Sequence, residues 1–448
     1  YGCLTDNRSE NENNMTCKRL CLICFVSFFG SASVLRADDW PTYQADASRS
    51  GYTKEKLGNV LHLKWTKQLA HRPCPAWPRS KRMLFDRTFQ MVAAGGVAYF
   101  GSSVDGKVTA LDVESAAVKW EFYTEGPIRM APAVWKGKVY VGGDDGYLYC
   151  LDASSGKLLW KLQAAPGDDL VLGNEKMISK WPIRGGLAIK DGVVYFVAGI
   201  WPTEQVLLYA VDANTGKLKW KNDQSGSLKI DQPHNATAES GVAGQGYLVV
   251  TDKHIIVPTG RAVPACFDRE TGAYKYFHLA RHGKRGGGRT VGVGEYFMHD
   301  RMLFDAKTGS QCSGDSGNLT VVTPEGVATA GSSSLSYSTM SLQTRKDRRG
   351  RQSTSMGLSR QWGVEFAGVK DSLIAAGDKI IGGGDGVIKI CDMTSQKVVW
   401  ETKQVKGRIC GLLYSNGALL ASSDAGILYC FSAAEAPVKR LEPKTVVQ

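Results

Sequence analysis

Three short segments set an arginine at the start of an apolar strand: Pro127-Ile128-Arg129, Pro182-Ile183-Arg184 and Gly407-Arg408-Ile409. A guanidinium stays charged at any physiological pH and offers five N–H donors in a planar fork, so several converging on one point would hold a carboxylate or a phosphate. His234, in Gln232-Pro233-His234-Asn235, and Arg261, in Gly260-Arg261-Ala262-Val263-Pro264, are placed to join such a site. The competing reading is architectural: each arginine bonds carbonyls of a neighbouring loop and ties the fold together. No catalytic set and no metal set accompanies them. The seven cysteines beyond residue 37 include no Cys-x-x-Cys pair, which argues against structural zinc. The glycine-rich run Lys284–Arg289 lacks Walker spacing, and it reads, like the basic run Arg345–Arg351, as a solvated connection.

What positions these residues is a repeat. The segment VAYFGSSVDGKVTALDVESAAVKW at 97–120 returns as VYVGGDDGYLYCLDASSGKLLW at 139–160, and again in LLYAVDANTGKLKW and KIIGGGDGVIKICDMTSQKVVW. Its aligned aspartates are Asp112, Asp152, Asp212, Asp268, Asp305 and Asp392, and the first two lie one propeller-blade period apart. Each aspartate opens an Asp-x-x-Thr/Ser-Gly turn, where its carboxylate accepts backbone N–H groups and glycine takes the left-handed position. Asp-Gly at 105–106, 145–146 and 385–386 predicts two-residue hairpins. Trp120, Trp160, Trp220 and Trp400 end the outer strand and predict a wedge against the next blade. Cys150, Cys266 and Cys430 share the slot that Ala110 and Ala210 hold in other copies, as small buried core residues do.

Counting copies predicts an all-β, eight-bladed propeller of four-stranded sheets. Its last blade, over 418–431, lacks an outer strand, and Leu61–Leu69 supplies one, closing the ring with N- and C-terminal strands. Seven blades is the alternative, because region 313–365 is poorly patterned and reads either as a degenerate blade or as a loop. In such a ring the innermost strands line a central channel, so the arginines would point into an axial funnel.

The chain has 448 residues and a net charge of +12. That balance favours acidic partners without defining the fold. Residues 1–14 are a polar leader upstream of Met15, which is read as the true start. Residues 15–37 have the basic, apolar, small-residue order of a signal peptide, with cleavage after Ala37 or Ala32, and the apolar run is too short to span a membrane. Residues 38–448 then form one propeller domain, exported to the periplasm or cell envelope.

The pattern Ala/Val-x-Asp-x-x-Thr/Ser-Gly-x-x-x-Trp resembles the tryptophan-docking repeat of the PQQ-like (quinoprotein-type) propeller superfamily. The opening Trp40-Pro41-Thr42-Tyr43-Gln44 and Arg49-Ser50-Gly51 are similar to the first segment of its exported members. The resemblance implies one of two functions. The first is a non-catalytic scaffold, like the outer-membrane assembly propellers, binding a protein or a small anion as a monomer, without nucleic acid, metal or cofactor. The alternative is an alcohol dehydrogenase-like oxidoreductase that uses pyrroloquinoline quinone and calcium. The enzymes of the superfamily carry adjacent cysteines joined by a disulfide, a catalytic aspartate and calcium ligands. This sequence has no Cys-Cys dipeptide, and its recurring aspartates are used by the turns, so the scaffold is the reading taken.

Overall fold

Local chemistry builds each blade. In the second repeat Lys138–Gly142 pairs antiparallel with Tyr147–Asp152, which pairs with Leu158–Gln163, while Ala133–Trp135 completes the sheet on the inside. Asp152 Oδ1 accepts the N–H and hydroxyl of both Ser154 and Ser155, and Gly156 follows at φ 72°. The same turn forms at Asp112, Asp212, Asp268, Asp305 and Asp392, each closed through its Oδ1.

The computed structural model describes residues 39–443, except 174, 233–235, 261, 280–286, 315–316, 332, 347–349 and 351. These residues form eight blades, whose innermost strands are Met91–Ala94, Ala133–Trp135, Ile183–Lys190, Val249–Val250, Thr290–Val293, Leu319–Val322, Val369–Ala376 and Ile409–Ser415. Each touches the next, and the eighth touches the first. The eighth blade takes its outer strand, His62–Gln68, from the other end of the chain, with Trp65 opposite Cys430. Lys439–Leu441 then adds in parallel and covers that strand's free edge.

The sixth blade is the poorly patterned region. Leu319–Val322, Val327–Ala330, Ser334–Lys346 and Gln352–Glu365 form it, and its outer two strands run on as a long ribbon. Hydroxyl pairs such as Ser341 with Ser359 (2.7 Å) and Thr344 with Thr354 (3.0 Å) link the ribbon's strands. Those polar residues hide the apolar alternation that marks a strand. Of the basic run Arg345–Arg351, residues 347–349 and 351 lie outside the described residues.

Tryptophans bind blade to blade. The indole N–H of Trp120 donates to Ala153 O (3.0 Å), that of Trp160 to Asn214 O (3.1 Å), that of Trp220 to Arg269 O (3.2 Å) and that of Trp400 to Leu61 O (3.0 Å). Trp65 does the same from the closing strand, to Val113 O at 2.9 Å. Each acceptor lies in or beside the neighbouring blade. The turn glycine there meets the ring: a Cβ on Gly156, Gly216 or Gly272 would stand 2.4–2.9 Å from Trp120, Trp160 or Trp220. An indole hides roughly 200 Å². At about 25 cal/mol per Å², each docked ring contributes up to about 5 kcal/mol.

The turns between second and third strands differ from the two-residue expectation. Of the three Asp-Gly pairs, Asp385-Gly386 alone is that short, between the paired Gly384 and Val387. In the second blade Gly143 N bonds Tyr147 O, leaving the three-residue turn Asp144-Asp145-Gly146. Asp145 caps this turn by accepting from Tyr147 N, Glu125 N and the Tyr149 hydroxyl. The extra residue leaves Asp144 buried, with arginines of two blades on it.

Residues 40–56 touch every blade. Trp40 exchanges two backbone bonds with Ala93 in the first, and Pro41 O accepts from Val134 N (2.7 Å) in the second. Arg49 Nη2 donates to Leu187 O (2.6 Å) in the third. Ala47, Ser48, Ser50 and Gly51 accept, through their carbonyls, from Val250, Gly292, Val322 and Ala375 of the next four. Tyr414 of the eighth donates to Lys56 O at 3.3 Å.

Candidate axial site

Arg129 and Arg184 come together, and they meet on a carboxylate. Arg129 is 4% exposed, Arg184 3% and Asp144, which they share, 1%. Arg129 Nε donates to Asp144 Oδ2, while its Nη1 donates to Cys74 O (2.7 Å) and Asp86 Oδ2 (3.2 Å). Arg184 reaches back from the third blade, with Nε to Asp144 Oδ1 at 3.0 Å and Nη2 to Oδ2 at 2.9 Å. Burial pushes the Asp144 carboxyl up, but the Arg184 and Arg129 guanidiniums together hold it below the usual carboxylate range. Asp86 has one guanidinium in contact, and there burial wins and raises the carboxyl.

Arg408 sits apart. It pairs with Asp371 of the preceding blade, through Nε at 3.1 Å and through Nη2. Reaching back one blade is thus common to Arg184 and Arg408. His234 and Arg261 lie outside the described residues. Trp77 and Trp181 are anchored by Gln245 Oε1 and Glu204 O, and Trp201 stands partly exposed.

On the axis, Arg289, Asp371 and Cys410 wall a small cavity floored by Tyr43, Gln44 and Arg49. Its mouth carries Lys81, Arg82, Arg289 and Asp300. Arg289 Nη2 donates to Asp371 O at 2.7 Å. Arg49 is fully buried, bonded to Leu248 O, Leu187 O, Thr42 Oγ1 and Tyr43 O, and burial pulls its guanidinium down to about 10. Burial, with Asp371 beside it, pushes the Cys410 thiol up to about 12. Burial does the same for Cys150, Cys266 and Cys430, so these thiols stay protonated. Sequence reading missed Asp86, Asp144, Asp371, Arg49 and Arg289 as axial residues. The one local signal was the second acid in Asp144-Asp145-Gly146.

A family profile described as "Outer membrane protein assembly factor BamB" matches residues 63–180 and 174–438. The chain belongs to that family. Its relatives fall on both sides of the functional divide. The quinohemoprotein alcohol dehydrogenase of Comamonas testosteroni is 27% identical over 212 residues, 43% of this chain and 27% of the enzyme. The outer membrane protein assembly factor BamB of Yersinia pestis is 28% identical over 137 residues, 30% of this chain and 32% of that protein. Both matches span only about a third or less of the relative's length. The structure of BamB from Moraxella catarrhalis superimposes with a TM-score of 0.54 at 15% identity, covering 83% of this chain and all of that one, a likeness of fold.

Proposed function

We propose that this propeller is a binding scaffold of the cell envelope whose partner is a protein. The observation that carries the reading is a hairpin inserted between the second and third blades. Leu170–Gly173 pairs with Lys176–Ser179, and Leu172 stands opposite Met177. On one face Leu170, Leu172 and Met177 are 57%, 75% and 56% exposed, while Ile178 on the other face is buried. Three large apolar side chains side by side in water are what a protein partner covers.

The state of the axial carboxylates supports binding over quinone chemistry. Asp86, Asp144 and Asp371 are buried and paired with arginines. Among the described residues, no three His, Cys, Asp or Glu side chains group closely enough to hold a metal ion. A calcium site needs several oxygen donors free of other cations. Export follows from the leader-like order of residues 15–37, and among the described residues no helix is long and apolar enough to cross a membrane.

The test places a photo-crosslinking residue at position 172 in living cells, with position 397 on an outer strand as control. A defined adduct with one envelope protein at 172, absent at 397, supports the reading. A chain giving no adduct but binding pyrroloquinoline quinone and calcium one-to-one, with dye-linked alcohol oxidation, overturns it. That outcome would establish the oxidoreductase alternative, which the dehydrogenase relatives keep in play.

A further inference from the structure

Among the described residues, two buried acceptors on residues that line the axial cavity lack a donor: Asp371 Oδ2 and Gln44 Oε1. Asp371 is 4% exposed. Its Oδ1 is taken by Arg408 and its carbonyl by Arg289, so one oxygen of a buried carboxylate is left over beside the cavity. Buried acceptors are satisfied in the great majority of cases, and one left bare costs about 1–3 kcal/mol, more when charged. A ligand that donates hydrogen bonds would recover that energy.

The surrounding charge narrows the ligand. Arg49 and Arg289 line the cavity, Arg408 lies against Asp371, and Lys81 and Arg82 stand at the mouth. Two like unit charges 4 Å apart repel by about 4 kcal/mol at an effective dielectric of 20. A bare cation or a simple amine would therefore be repelled by the guanidiniums, although it could serve Asp371. A simple anion would suit Arg289 and face the unpaired carboxylate oxygen. A molecule carrying both signs meets both groups.

We propose that the axial cavity binds an α-amino acid as its zwitterion. The ammonium group donates to Asp371 Oδ2 and Gln44 Oε1, and the carboxylate accepts from Arg289. Gly288, Arg289, Asp300 and Asn318 line both the cavity and its mouth, so a side chain can extend from the one into the other. This site is separate from the exposed hairpin, and its failure leaves the scaffold reading untouched.

The experiment is calorimetric titration of the purified chain with glycine, L-alanine, L-serine, L-leucine, L-glutamate and L-lysine, each separately. Propionate and propylamine serve as controls carrying one charge each. At least one amino acid should bind one-to-one, with both controls at least tenfold weaker. Arg289→Met and Asp371→Asn should each weaken that binding at least tenfold while circular dichroism still reports a folded chain. If Asp371→Asn does not fold, Gln44→Met replaces it in the comparison. No binding from the folded wild-type chain, equal binding of a control, or binding unchanged in the variants overturns the proposal.

Discussion

Arg184 in the third blade grips both carboxylate oxygens of Asp144 in the second, at 3.0 and 2.9 Å. The pair joins two blades at a buried position, and Arg129 makes it a triad. Removing the acid would leave two buried guanidiniums facing each other. Asp144→Ala should therefore cost about 3–5 kcal/mol, read as a lower urea midpoint. Lys253→Ala, at an ion pair with Glu295 whose side chains are 69% and 67% exposed, should change stability by less than about 1 kcal/mol. Equal effects would mean that the triad has no special place in the ring.

The docking glycines separate backbone strain from packing. Gly272 sits at φ 70° with the Trp220 ring 2.4 Å from where a Cβ would stand, whereas Gly417 sits at φ 73° with nothing within 4 Å. Gly417→Ala should cost about 1 kcal/mol, the backbone part alone. Gly272→Ala should cost about 1–3 kcal/mol more, because the indole must shift. Thermal melts of the two variants measure the difference directly.

His299 gives a pH signature. It is buried, with Nδ1 against Thr290 Oγ1 at 2.9 Å, and burial pulls its imidazole from 6.5 down to about 4. Between those values the unfolded chain takes up a proton that the folded chain refuses. Stability therefore rises with pH across that window and is lost on acidification, by about 1.4 kcal/mol per pH unit. Urea unfolding at several pH values should show a shallower slope for His299→Gln than for the wild type.

The exposed hairpin should contribute little to folding. Leu172→Ser with Met177→Ser is expected to move stability by less than about 0.5 kcal/mol and to reduce binding of an apolar dye such as ANS. A large loss of stability would show that these side chains pack in the fold and are not held open for a partner.

What the sequence displayed was chemistry that closes over a few residues. The aspartate turns are visible because the carboxylate and the N–H that donates to it lie three residues apart, as in Asp212 and Thr215. The tryptophans are visible because each blade repeats the same dock, and the closing strand showed as the complement to an incomplete last repeat. Two of the axial pairings were hidden because they join residues from separate repeats: Arg184 is 40 residues from Asp144, and Arg408 is 37 from Asp371. Arg129 and Arg184 were found by position, but their partner was not. Asp371 and Arg289 are single charges at strand starts, and no repeat marks them. The sixth blade stayed ambiguous because serines and threonines in its ribbon replace the apolar alternation that announces a strand.

The closing strand sets the order of events in time. Gln68 bonds Ala425 and Gly426, more than 350 residues further along the chain. A chain emerging N-terminus first holds His62–Gln68 without the sheet it completes until the eighth blade arrives. Contacts of such separation make folding slow. Seven finished blades are therefore not a smaller propeller but an open arc with both end faces bare, and the last few dozen residues decide whether everything before them closes. A truncation within Ile409–Ser432 should act on the whole molecule as one event, leaving soluble yield near zero while upstream blades remain unchanged in sequence.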